Sequence, residues 1–144
     1  MKRYQLLGWI VLMGLLVTAV ACGGSGNTAD QSPVSVFTEA QAAELAENAM
    51  QGFATGDYAA WSRDWSEVMK GAISEDAFLT YRQEVIAAMG AYQSIESVTL
   101  APSATEGYVR WVVVANFEKG QMEFAFSFRQ DGKLVEGIFP RQLG

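Results

Sequence analysis

The apolar positions of this chain change period near Gly90. Before it they recur every three or four residues, as in helices buried along one face. After it they alternate, as in strands half buried on one side. Ala42, Leu45, Ala46, Ala49, Met50 and Phe53 form the first helical stripe. Thr38-Glu39-Ala40-Gln41 has the order of a capping box, in which the threonine oxygen meets a free backbone N–H and Gln41 reaches back. Gly56 stops that helix and Asp57 can cap a second, where Tyr58, Trp61, Trp65 and Val68 or Met69 share one stripe up to Gly71. Ser74 caps a third, with Ile73 and Phe78 spaced as a hydrophobic staple, and Leu79, Val85, Ile86 and Met89 carry it to Gly90.

Four strands are expected at Gln93–Leu100, Tyr108–Phe117, Gln121–Gln130 and Lys133–Phe139. Asp131-Gly132 is a strong two-residue hairpin signal and Lys119-Gly120 a weaker one. Taken as two-residue loops, they set Phe117, Ala115, Val113 and Trp111 opposite Met122, Phe124, Phe126 and Phe128. Phe128, Phe126 and Phe124 then face Val135, Gly137 and Phe139, and every bulky group falls on one side. The other side is mixed. It reads Arg110, Val112, Val114 and Asn116, then Glu123, Ala125, Ser127 and Arg129, then Leu134, Glu136 and Ile138. The expected fold is α+β: three N-terminal helices packed on a curved four-stranded antiparallel meander.

Ahead of this domain the pattern is of another kind. Lys2 and Arg3 precede an uncharged apolar run from Leu6 to Val20, shorter than the ~20 residues a membrane-crossing helix needs. Thr18-Ala19-Val20-Ala21 then leads to Cys22, the sole cysteine. A charged start, a short apolar core and small residues before a cut site describe an export signal. Ala19-Val20-Ala21-Cys22 resembles a bacterial lipoprotein signal, with Ala19 where that class usually carries Leu. The resemblance implies cleavage between Ala21 and Cys22 and acylation of Cys22. The alternatives are an uncut membrane helix running to about Cys22 or ordinary secretion after cleavage, but neither explains a lone cysteine at this boundary.

Residues 1–21 are thus expected to be signal, residues 22–35 a lipidated cysteine and flexible tether, and residues 36–144 one domain. The tether is small and polar (Gly23-Gly24-Ser25-Gly26 onward) and is broken by Pro33. The expected location is a cell membrane or outer membrane, lipid-anchored and facing away from the cytoplasm, since Lys2 and Arg3 hold the N-terminus inside.

Charge removes further classes of function. The chain carries net charge −6, and losing Lys2 and Arg3 with the signal makes it −8. No nucleic-acid partner is expected of such a domain. A single cysteine excludes an internal disulfide, and the complete lack of His excludes Ser-His-Asp and Cys-His catalysis. No metal or cofactor is expected, because the nearest acidic groupings, Asp57 with Asp64 and Glu75-Asp76, read as caps and first-turn residues.

The runs Gly56-Asp57-Tyr58, Ile73 to Phe78 (ISEDAF) and Gly90 to Ile95 (GAYQSI), with the ending Phe128 to Phe139 (FRQDGKLVEGIF), resemble a small uncharacterised bacterial domain. That domain occurs in exported proteins and beside some α/β-hydrolases. It is placed in the cone-shaped α+β superfamily known as nuclear transport factor 2-like. The resemblance spans about Leu45 to Pro140 and implies a fold, with no catalytic residues to carry over.

Three functional readings follow. The first is a membrane-tethered accessory or binding domain without catalysis, its partner an envelope protein or a small apolar ligand. Trp61, Trp65, Trp111, Phe124 and Phe126 are the candidate pocket lining, although aromatics at such spacing are more often plain core. The second is a proton-transfer enzyme of the ketosteroid-isomerase kind, with Asp57 or Asp64 as base and Tyr58, Tyr81 or Tyr108 as donor. Glu123 suits that role poorly, since the expected register turns it away from the core. The third is a structural homodimer through the mixed sheet face, where Val112, Val114, Ala125, Leu134 and Ile138 would meet a second copy.

Overall fold

A computed structural model describes Ser35 and residues 37–143. The signal, Cys22 and most of the tether lie outside the described residues. Four helical segments come first: α1 (Glu39–Thr55), α2 (Tyr58–Trp61), α3 (Glu67–Ala72) and α4 (Glu75–Met89). Four strands follow: β1 (Tyr92–Pro102), β2 (Tyr108–Phe117), β3 (Gly120–Arg129) and β4 (Val135–Leu143). The strands form one antiparallel sheet in the order β1-β2-β3-β4, so the fold is α+β.

Local signals explain most helix ends. Thr38 closes the capping box with Gln41, and Gly56 ends α1 in the left-handed conformation (φ 78°) that glycine adopts without strain. Arg82 of α4 completes that end, donating from Nε to the Phe53 carbonyl at 2.6 Å and from Nη2 to the Ala54 carbonyl at 2.5 Å. Asp57 caps α2 by accepting from the Ala60 N–H at 3.0 Å, and Ser74 caps α4.

The expected second helix does not run through to Gly71. It breaks between Trp61 and Glu67 because Ser66 starts a new helix by capping the Met69 N–H. The chain between the two makes backbone bonds to the sheet instead. Val135 N–H donates to the Asp64 carbonyl at 2.8 Å, and Ser66 N–H donates to the Val135 carbonyl at 3.0 Å. Trp65 and Val135 thereby form a parallel bridge.

Two registers also differ from expectation. At the β2–β3 hairpin the loop is Glu118-Lys119, and Phe117 pairs with Gly120. Ala115, Val113, Trp111 and Val109 therefore oppose Met122, Phe124, Phe126 and Phe128. The loop is drawn back onto the end of α4. Lys119 N–H donates to the Met89 carbonyl, Lys119 Nζ to the Ala87 carbonyl, and Ala91 N–H to the Glu118 carboxylate at 3.0 Å. Helix ends leave carbonyls without partners, and this loop supplies donors to them.

Asp131-Gly132 forms no two-residue loop, since β3 ends at Arg129 and β4 begins at Val135. Phe128 faces Val135 as expected, but the next pair is Ser127 with Gly137, leaving Glu136 as the extra residue of a bulge. Ile138 then pairs with Phe126, and Ala125 with Phe139. The bulge turns Ile138 to the helix side and Phe139, 59% exposed, to the other, the reverse of the expected arrangement. Leu134, 50% exposed, belongs to the connecting loop and not to the sheet face.

The core lies between the helices and one side of the sheet. Phe53 of α1 is its hub, with edge-to-face contacts to Phe78, Tyr81, Phe117 and Phe124 at ring-centroid distances of 6.1 to 6.2 Å. Each such pair adds about 0.5–1.5 kcal/mol beyond the area it buries. Gly52 lets α2 approach α1 closely, because a Cβ there would lie 2.8 Å from the Trp61 Cα.

Candidate functional site

The bulge in β4 shapes a strongly apolar recess. Ile138 and Pro140 come to the helix side of the sheet beside Phe124, and form one wall. Ala77, Phe78 and Tyr81 of α4, with Trp61 of α2 and Ile73 ahead of α4, form the other. The cavity between them is about 230 Å³ and partly open to solvent. Trp61 stacks on Phe78 with centroids 4.4 Å apart and planes at 27°. Tyr58 braces the helix side from behind, its hydroxyl donating to the Ile73 carbonyl at 2.5 Å.

Two buried polar atoms have no hydrogen-bond partner among the described residues: Tyr81 Oη and Trp65 Nε1. Burial pushes the Tyr81 hydroxyl up to about 12, so it remains a proton donor throughout the physiological range. Tyr92 is also pushed up to about 12, by burial first and then by the Glu47 carboxylate next to it.

Of the five residues expected to line a pocket, Trp61 and Phe124 line this one. Trp65 and Phe126 are wholly buried, and Trp65 packs against Trp61 at 4.5 Å. Trp111 is buried too, and its Nε1 donates to Ser35 Oγ at 3.2 Å. As lining, sequence reasoning missed Ile138, Pro140, Ile73, Ala77 and Phe78, and it weighed Tyr81 only as a proton donor. Ile138 and Pro140 could have been found from Gly137, since an isolated glycine in a strand pattern marks a bulge, and from the spacing of Val135 and Ile138.

The structure does not gather the acids and tyrosines weighed for proton transfer. Asp57 is spent on its cap and exposed. Asp64 pairs with Arg63 at 2.8 Å in a separate polar recess that also holds Glu44 and Lys133. Tyr108 begins β2 beside the Pro102–Gly107 loop. Glu123 sits on the outer sheet face and pairs with Arg141 at 2.7 Å. Among the described residues no carboxylate lines the apolar cavity, and no cluster of three acidic or cysteine side chains could hold a metal. None of their helices is long and apolar enough to cross a membrane.

Fold and site together define a small α+β domain with helices on one side of an antiparallel meander and an apolar cavity between the two. Residues 46–136 match the family described as Protein of unknown function (DUF3887), and the chain belongs to that family. Its fold is similar to that in an NMR structure of a protein from Ruminococcus gnavus ATCC 29149. The TM-score is 0.58 at 13% identity, over 72% of this chain and 90% of that one. No curated protein matches the chain.

Proposed function

We propose that this chain is a lipid-tethered domain held outside the cytoplasm, where it binds a small apolar molecule without transforming it. The cavity carries the binding half of this reading, because its lining is aliphatic and aromatic and offers no base. The lone Cys22 behind an apolar run carries the tether half. We read the helix-covered meander as a cone of the nuclear transport factor 2-like kind, a form that encloses a cavity between helices and sheet.

Two experiments test the reading. Cys22→Ala in a bacterial host should abolish incorporation of labelled palmitate and release the chain from membranes; continued membrane retention with no label in the wild type would reject the anchor. A screen of small apolar compounds against the full chain should shift the NMR signals of the Ile73 and Ile138 methyl groups. Turnover of a carbonyl substrate that Asp57→Asn or Asp64→Asn abolishes would instead establish the proton-transfer enzyme.

A second reading has its own observation. Phe139 stands 59% exposed on the outer sheet face, beside Ala125 and in the same layer as Val112 and Val114. A homodimer through that face would bury it. Sedimentation of the wild type, Val112→Lys and Phe139→Lys distinguishes the cases: one unchanged monomer mass for all three rejects the dimer.

A further inference from the structure

The mouth of the cavity lies along an open sheet edge. Trp61, Phe78 and Phe124 are buried and form the floor, whereas Ala77 and Pro140 are the exposed members of the lining. Access therefore runs between α4 and β4, and β4 is an outer strand of the sheet. The Trp65–Val135 bridge shows which backbone groups face its outer edge. Val135 turns both its N–H and its carbonyl outward, to Asp64 and Ser66. Along an antiparallel ladder, pairs that bond each other alternate with pairs that point away. Val135 faces Phe128, so the pairs Phe126–Ile138, Phe124–Pro140 and Met122–Gln142 point away as well. Pro140 fits this pattern, since it has no N–H to offer β3.

Ile138 and Gln142 thus each present a donor and an acceptor to the edge, and Pro140 presents an acceptor. Among the described residues, no backbone bond from another element reaches β4 beyond Val135, and Pro140, Arg141 and Gln142 are exposed. Residues directly opposite one another in neighbouring strands share a side of the sheet. A segment laid beside β4 therefore puts the residue facing Pro140 on the helix side, at the mouth of the cavity.

We infer that the β4 edge from Ile138 to Gln142 takes up an extended peptide of another protein, which anchors one apolar side chain in the cavity. This goes beyond the small-molecule reading while using the same cavity. A void of about 150 Å³ holds benzene, so the 230 Å³ here admits a phenylalanine side chain. Main-chain bonds to the edge supply affinity and the pocket supplies selectivity. Charge narrows the partner further. Glu75 and Asp76 are exposed in the first turn of α4 next to Ala77, and neither forms an ion pair among the described residues. Basic residues beside the anchor suit that rim. A second copy of this chain suits the edge less well. Pairing β4 with itself leaves the Pro140 donor missing from both strands, whereas a foreign strand brings a full set.

The probe is the peptide acetyl-Thr-Lys-Thr-Phe-Thr-Lys-Thr-amide, titrated into the full-length chain in lipid bilayer discs. It should move the Ile138 methyl signals and slow hydrogen exchange at the Ile138 and Gln142 amides. The Phe139 and Arg141 amides, already bonded to β3, should be protected with or without it. Replacing the peptide's phenylalanine by alanine should weaken binding at least about tenfold. Methylating the nitrogen of that phenylalanine, which removes the donor to the Pro140 carbonyl, should weaken it about fivefold. If the alanine peptide binds as well, or methylation changes nothing, the inference is overturned. Protection of the Ile138 and Gln142 amides without peptide, growing with chain concentration, assigns the edge to a second copy and also overturns it. No binding at millimolar peptide, while apolar compounds still move the Ile138 signals, removes the inference and keeps the small-molecule reading. Peptide binding with no response to the compounds does the reverse.

Discussion

The β2–β3 and β3–β4 hairpins share a strand, yet they depart from their expected registers in ways with opposite consequences. The first slips by two residues. Because side chains alternate with period two, Trp111, Val113 and Ala115 stay on the buried side and only their partners change. The second slips by one, at Glu136, and every later residue changes sides. An even slip is silent in the core, whereas an odd slip builds a new surface. Here it supplies Ile138 and Pro140 to the cavity and leaves Phe139 outside.

The largest expected effect breaks both hairpins together. Phe126 is buried in the shared strand, paired with Trp111 on one side and Ile138 on the other. Phe126→Ala should cost about 3–5 kcal/mol in urea unfolding, and a loss under about 1 kcal/mol would place the core elsewhere. Next comes the dock of the first hairpin on α4. Gly90 has φ 78°, and a Cβ there would press into the Glu118 side chain. Gly90→Ala should cost about 1–3 kcal/mol. Gly137→Ala at the second hairpin should stay within about 0.5 kcal/mol, because the Phe139 ring it meets is exposed and can swing aside.

The bulge itself is tested by a pair. Ile138→Ala should cost about 1–2 kcal/mol and Phe139→Ala less, although phenylalanine loses the larger side chain. The opposite ranking would restore the unbulged register. The smallest effect is one of pH. Tyr81 and Tyr92 ionise only near pH 12 in the fold, against about 10 when unfolded. The folded state therefore holds more protons in that window, and stability should fall as pH rises from about 10 to about 12. Alkaline unfolding curves of a Tyr81→Phe, Tyr92→Phe double variant should be flatter across this window than those of the wild type.

What was legible follows the same division. The stripe from Ala42 to Phe53, the caps at Thr38, Asp57 and Ser74, and the buried alternation of β2 are local, and neighbouring residues decide them. The break after Trp61 was hidden, because its cause is a backbone bond to Val135 across the fold; Ser66, the cap that marks the break, sits within an apolar stripe that reads as continuous helix. The cavity was half legible for the same reason. Trp61 and Phe124 sit where local periodicity puts them, whereas Ile138 and Pro140 arrive through an odd slip set by a distant partner.

The Trp65–Val135 bridge has a further consequence for how the chain comes to be folded. A ribosome releases Trp65 about seventy residues before Val135 exists, so the segment after α2 waits without its backbone partner through about half of synthesis. Until the last strand emerges, Trp61 and Trp65 have no sheet edge to close against. A nascent chain would therefore stay loose at this edge, and would lock only once its C-terminal strand had emerged.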